Sequence, residues 1–359
     1  MKFDNPHTNT TALAPGSWNL RALFVLGVLA SVGVHECAAA AAASSVSSAP
    51  SAASPDRQSR DDAWWTGPLL APSAGTLPRG HFLIEPYLFD SMPQGRYDAR
   101  GTRRSVPHQN NFGSQSYVIY GLTDRMSVGL IPRFGFNAPA EGRSSSRIGV
   151  GDLGLQWQYG LSRFEEGGWI PTTSLVIGET LPTGKYDRLG DRPADGLGAG
   201  AYTTTLAVYS QYFFWLPNGR IVRTRLDLSY AASNSVNVQD VSVYGTGPGF
   251  RGRAHPGNSF LADASWEYSA TRNWVLALDL VVEHDSNTRV GGLDPQDSVA
   301  GIAATIELNS GPSRSLSLAP AVEYNFNSRI GVIAGAKFTL TGRNTSAVII
   351  PVAAVNMVL

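Results

Sequence analysis

"SLSLAPAVEYNFNSRIGVIAGAKFTLTGRN", residues 315–344, alternates on the strand period. Leu316, Leu318, Pro320, Val322 and Tyr324 fall on one face of an extended chain, and Ser317, Ala319, Ala321 and Glu323 fall on the other. After Asn325-Phe326-Asn327-Ser328 the pattern restarts with Ile330, Val332, Ala334, Ala336, Phe338 and Leu340. A period of two argues for strands, and the short polar break reads as a hairpin turn. The apolar face needs a cover, which only a second layer or lipid can supply.

The same signal recurs from residue 79 onward with no amphipathic helix between. It predicts strands at 80–90, 112–121, 125–136, 149–160, 169–181, 200–216, 219–232, 258–270, 273–285, 313–325, 328–341 and 345–358. Short connections at 121–125, 161–168, 216–219, 270–273 and 325–328 alternate with long ones at 91–111, 137–148, 182–199, 233–257 and 286–312. Of the long series only the last, 341–344, is short. Tight turns at one end and long loops at the other mark an outer-membrane barrel, whereas a soluble sandwich has no reason to sort its loops this way. The faces agree. Val222, Thr224, Leu226, Leu228 and Tyr230 oppose Arg223, Arg225, Asp227 and Ser229. Trp274, Leu276, Leu278, Leu280 and Val282 oppose Asp279 and Glu283. Trp266, Tyr268, Trp274 and Tyr324 lie at strand ends beside short turns, as in an aromatic girdle. The expected fold is all-β: a transmembrane antiparallel β-barrel of about twelve strands, with 10 or 14 as alternatives. Lipid then covers the apolar face, and closure removes the unpaired sheet edges. The stretch 299–309 would either extend the tenth strand or form an extra hairpin.

Composition excludes several function classes. The 359 residues carry no net charge and only 16% charged side chains, so nothing points to a nucleic-acid partner. Cys37 is the single cysteine, which excludes an intrachain disulfide framework and a thiolate metal site. Arg21 precedes thirteen mostly apolar residues, Ala22 to Val34. That run is too short to span a bilayer as a helix but fits a secretory signal, with the Ala tract 38–43 as cleavage site. Val34-His35-Glu36 is not a lipobox, so Cys37 leaves with the signal. The expected organisation is a signal peptide at 1–43, a polar linker at 44–61 and the barrel at 62–359.

"WWTGPLLAPSAGTLPRGHFLIEPYLFD" (64–90), "YGLTDRMSVGL" (120–130), "GDLGLQWQY" (151–159), "LPTGKYD" (181–187) and the closing "APAVEYNF" with "TGRN" come in an order that resembles the meta-pathway phenol-degradation family of outer-membrane β-barrel transporters. The resemblance covers roughly 62–359 and implies a Gram-negative outer-membrane protein. It implies no particular substrate. Such barrels usually end in an aromatic residue read by the assembly machinery; here the last residues are "NMVL", with Leu359 still at outward parity.

Parity places a set of charges inside the barrel: Glu85, Arg133, Asp152, Arg223, Arg225, Asp227, Asp263, Glu267, Asp279, Glu283, Glu323 and Lys337. Such charges form either a constriction that selects solutes by sign and size, or a structural ladder required by any polar lumen. Arg223 and Glu267 should both lie near the periplasmic end. His284 and Ser286 share an outward face near the extracellular end, the minimum for an activated nucleophile, and equally an ordinary polar strand end. Asp187, Asp191 and Asp195 read as a solvated acidic loop rather than a Ca²⁺ site. The six histidines make no metal-ligand spacing, and no cofactor motif occurs.

The function read from the sequence is passive passage of a small, aromatic or hydrophobic solute across the bacterial outer membrane, without covalent chemistry. The partners are outer-membrane lipid, the solute and the assembly machinery. A narrow pore is expected, with the segment 62–78 as a candidate plug. The rival readings are a lipid hydrolase using His284 and Ser286, and a structural or adhesive barrel.

Overall fold

A computed structural model describes residues 57–299 and 302–359. The signal peptide, Cys37 and most of the linker lie outside the described residues. Twelve strands form the barrel: β1 (Phe82–Tyr97), β2 (Asn110–Thr123), β3 (Met126–Ile131, continuing past Pro132 as Arg133–Ala138), β4 (Leu153–Ser162), β5 (Thr172–Leu181), β6 (Thr203–Trp215), β7 (Ile221–Ser233), β8 (Ser259–Ser269), β9 (Trp274–Asp285), β10 (Ser313–Asn325), β11 (Ile330–Arg343) and β12 (Thr345–Val358). Each pairs antiparallel with its sequence neighbour, and β1 closes the cylinder on β12, from Leu83↔Val358 to Tyr97↔Thr345. Pro132, which has no N–H to donate, interrupts β3 without ending it.

All twelve predicted strands are present. The stretch 91–97, read as loop from the sequence, instead prolongs β1. The register shifts between Pro93 and Gly95, and this bulge breaks the alternation that marks a strand. The stretch 299–309 belongs to an extra hairpin outside the barrel. Arg289–Val299 and Ile302–Asn309 pair with Arg251–His255, which pairs with Val236–Gln239, in a separate four-stranded sheet. Val238, Phe250, Ala254 and Val290 give that sheet a small dry core. Its strands all come from the long loops, so it caps the long-loop end of the barrel.

The wall faces are as the alternation requires. Along β9, Val275 is 0% exposed and Leu276 is 51% exposed. Leu88, Leu206, Leu340 and Val322 carry the exposed apolar surface around the barrel. In water such a belt would be a severe liability, whereas in lipid it is the solvation surface. Near the short turns Trp274 and Tyr324 stand side by side across β9 and β10, ring centres 4.8 Å apart. They form part of the interfacial girdle.

Candidate functional site

The lumen is occupied by part of the chain's own segment 57–81: residues 63–77 run inside the wall, while 57–62 and 78–81 lie largely exposed at the short-turn end. This stretch holds Pro68, Pro72 and Pro78, and apart from the short 3-10 turn Arg60–Asp62 it has no regular structure. Its backbone groups are therefore satisfied by inward side chains of distant strands. Glu323 accepts from the backbone N–H groups of Thr66 (2.7 Å) and Gly67 (3.2 Å). Asp279 accepts from those of Leu69 (3.1 Å) and Ala71 (3.2 Å). Arg225 Nη1 donates to the Ala71 carbonyl at 2.7 Å, Gln158 to that of Ser73 at 3.0 Å, and Asn325 to that of Trp64 at 3.1 Å. Of the expected linker, residues 57–61 also dock: Gln58 receives the Trp215 indole N–H on its carbonyl and the Ile221 amide on its side chain.

Apolar packing seats the same segment. Leu69 is buried against Tyr87, Ala277, Ala319, Ala321, Ile333 and Val352. Ala277, Ala319 and Ala321 are small and leave room here for a plug. Two wall glycines serve the close approach. A side chain at Gly331 would collide with Thr66 Oγ1, and one at Gly121 with the Pro78 carbonyl.

Register then sorts the inward charges. Arg223 lies opposite Glu267, and Asp227 opposite Asp263. Arg223 grips Glu267 with a two-pronged fork, Nε to Oε2 at 2.6 Å and Nη2 to Oε1 at 2.5 Å. Arg225 Nε lies 3.3 Å from Glu267 Oε2, so one carboxylate holds two arginines. The Arg223 guanidinium also covers the Trp65 ring at 4.6 Å. Lys337 and Glu283 form a second pair at 2.7 Å, with Ser315 donating to the same carboxylate. Arg133 donates to Gln115 and to the Asp152 carbonyl, while Asp152 accepts from the Gly184 and Ala199 amides and draws the loop 182–199 toward the lumen. Glu85 accepts from Asn356. Both carboxylate oxygens of Asp263 lie buried without a hydrogen-bond partner among the described residues. All twelve predicted charges thus point inward, and Arg223, Arg225 and Glu267 form one cluster. Asn325, Asn356, Gln158 and Ser127, which also hold the plug, were missed by a reading limited to charges.

Between plug and wall is a cavity of about 220 Å³, lined by Leu70, Leu77, Ile119 and Tyr117 and by the charged Glu85, Arg223, Arg225, Asp263, Glu283 and Lys337. Outside the barrel, His284 and Ser286 are both exposed, and no hydrogen bond joins their side chains. Asp187, Asp191 and Asp195 engage three different partners: the Gln239 amide, Arg143 and Ser146. Among the described residues no group of three or more His, Cys, Asp and Glu is placed to hold a metal.

Comparison with known proteins supports the fold. A family described as "Putative MetA-pathway of phenol degradation" matches residues 93–347. The COG4313 outer membrane channel from Pseudomonas putida F1 superimposes with a TM-score of 0.56 at 18% identity, over 80% of this chain and 98% of that one. The Pseudomonas putida toluene transporter TodX gives a TM-score of 0.39 at 11% identity, over 83% of this chain and 94% of that one. At 18% identity the likeness to the COG4313 channel is one of fold. No curated protein matches the chain.

Proposed function

The chain belongs to the phenol-degradation family matched over residues 93–347, and we propose that it is an outer-membrane channel for passive passage of a small, aromatic or hydrophobic solute. The observation that carries this reading is the seat of the plug. Residues 64–77 cross the lumen held by side-chain hydrogen bonds and one buried leucine, not by strand pairing, so they can shift without unfolding the wall. The cavity beside them is roomy enough for the solute class: an apolar cavity of about 150 Å³ takes benzene, and this one is about 220 Å³, with apolar Leu70, Leu77 and Ile119 facing Glu85, Arg223, Arg225, Asp263, Glu283 and Lys337. The charged cluster acts as the constriction, where fixed charges in a low-dielectric passage set ion preference. The reading assigns no covalent step to the exposed His284 and Ser286, whose side chains are not joined by a hydrogen bond.

Conductance of the full chain in planar bilayers tests the proposal. Glu323→Gln with Asp279→Asn replaces the carboxylates that hold the plug and should raise the open conductance several-fold. Arg223→Ala with Arg225→Ala should shift the reversal potential toward cation preference. His284→Ala should change neither. Unchanged currents in both lumen variants, with lipid hydrolysis lost in the histidine variant, would establish the enzyme instead.

A further inference from the structure

The outward face of the extracellular rim carries arginines where neighbouring strands would favour opposite charges. Arg314 lies directly opposite Arg343 on β11 and directly opposite His284 on β9. Arg96 on β1 lies directly opposite Arg104, and on its other side opposite Ser346 of β12. Directly opposed residues of an antiparallel pair share a face, with Cβ atoms about 5 Å apart. Arg314 continues the outward series Leu316, Leu318, Pro320 and Val322, so Arg343 also faces outward; the register shift beside Leu316 turns the end of β11 to that parity. Arg96, Arg104, Arg314, Arg343 and His284 are all exposed. The two arginine pairs are neighbours in space, because the Asn344 amide donates to the Asp98 carbonyl at 3.1 Å and Gly101 lies against the Arg343 side chain.

Like charges placed face to face oppose folding unless something else neutralises them. Among the described residues, none of the four arginines has a carboxylate within ion-pair distance, although Arg57, Arg143, Arg223, Arg225 and Arg272 all do. The nearby acid, Asp98, accepts from the backbone N–H groups of Arg100 and Thr102 and lies close enough to Arg104 to feel its charge. Asp285 accepts from Ser259 and Ser313. Arg96, Arg314 and Arg343 are therefore left to an external group.

Height in the membrane identifies it. The outward apolar residues of β10 run from Tyr324 up to Leu316. At about 3.4 Å per residue and a tilt near 40°, that spans roughly 21 Å of the bilayer, most of an apolar band of about 25 Å. Arg314 is the next outward position and reaches headgroup level. The two arginine pairs flank β12, with Arg343 and Arg96 two strand spacings apart, about 10 Å, and the pair midpoints three spacings apart, about 14 Å. That is close to the length of a disaccharide, and guanidinium forks match phosphate oxygens two at a time.

We propose that the rim formed by Arg96, Arg104, Arg314 and Arg343 binds the bis-phosphorylated disaccharide headgroup of the outer-leaflet glycolipid, lipopolysaccharide, one phosphate to each arginine pair. The surface lies on the outer wall and does not depend on whether the lumen conducts.

The test measures retention of lipid A by the full chain in detergent, quantified by mass spectrometry and by titration in nanodiscs. Wild-type protein should bind bis-phosphorylated lipid A at least tenfold more tightly than lipid A stripped of both phosphates. Inorganic phosphate should displace it no better than chloride at equal ionic strength. Arg96→Gln with Arg314→Gln and Arg343→Gln should lose that preference. Arg79→Gln with Arg125→Gln and Arg329→Gln, at the opposite end, should keep it. Folding of each variant is read from heat-modifiable electrophoretic migration. Equal binding of the two lipids by wild-type protein overturns the proposal without any variant; so does a folded rim variant that keeps the preference. Displacement by inorganic phosphate alone would mean an adventitious anion site.

Discussion

Glu267 is the residue on which the lumen cluster turns, and its removal can be worked through from the distances. Its side chain is fully buried and that of Arg223 nearly so, which removes the solvent screening that makes surface pairs weak. Glu267→Ala strips Arg223 of both fork bonds and takes from Arg225 its carboxylate at 3.3 Å, while Arg225 keeps the Ala71 carbonyl. Leaving buried charge without its partner costs about 3–5 kcal/mol. Arg223→Ala leaves Glu267 in contact with Arg225 and also loses the contact with Trp65, so it should cost somewhat less, about 3 kcal/mol. In the double variant only Arg225 is left short, so the cost should stay near 3–5 kcal/mol rather than the sum of about 6–8. The coupling energy is then about 3 kcal/mol, well above the additivity limit for independent sites. Urea titrations of the reversible folding of each variant into liposomes, compared at equal slope, give the four free energies. Additivity of the two single changes to within about 0.5 kcal/mol would show that the fork contributes nothing beyond filling space.

Further predictions follow from other parts of the wall. Leu278→Arg, at mid-strand on the lipid face, should cost roughly 2–4 kcal/mol in the same assay, and a neutral outcome would mean the faces are misassigned. Ala277→Arg points inward but meets Leu69, so its signature should be a dislodged plug and raised conductance rather than a loss of barrel stability; unaltered current would contradict the seat described above. A cysteine at Ser235 should react with an impermeant thiol reagent on intact cells and one at Asn327 should not, with the reverse pattern inverting the orientation. In the extracellular loop 182–199, the Ser146 backbone N–H at 2.7 Å, helped by the Ser146 hydroxyl, holds the Asp195 carboxyl below its usual value. A depressed folded pKa means this contact stabilises the loop above the ordinary carboxylate range and is lost as pH falls through the folded value. Carboxyl ¹³C shifts should therefore place the Asp195 midpoint below about 3.9, and a midpoint at or above that value would refute the contact.

The fold was legible because lipid outside and polar groups inside impose a strict period of two. Where a bulge interrupts that period the reading failed, and residues 91–97 were mistaken for loop although they pair along β12. The inward charges were legible from parity alone, but their partners required register. Arg223 and Glu267 were expected near one another because only one long loop separates their strands. Lys337 with Glu283 was not, because β10 stands between β11 and β9 and the lysine reaches across it. The plug was visible only as a segment without periodicity. Its anchors on Glu323 and Asp279 lie more than 200 residues away in sequence, and nothing local announces them. A signal was present in Gly331 and Gly121, glycines inside strands that mark another backbone's close approach.

The lumen therefore has two layers of specification that work against each other. The carboxylates of Glu323 and Asp279 hold the plug through its amide groups, contacts that any polypeptide of suitable shape could make. Selection of this segment comes from Leu69 in its patch of small side chains and from Trp65 under Arg223. A solute with an apolar body competes for the surfaces that Leu69 and its neighbours cover, while leaving the hydrogen bonds to the plug backbone in place. A charged solute of similar size would instead have to displace arginines already committed to Glu267. On the proposed channel reading, passage by an apolar solute then requires only a local shift of the plug. On this argument, occupancy of the cavity by an aromatic solute should change the noise and dwell times of the full-chain channel at concentrations where an inorganic anion changes nothing but the current. Equal effects of the two would place the controlling barrier at the charges rather than at the plug.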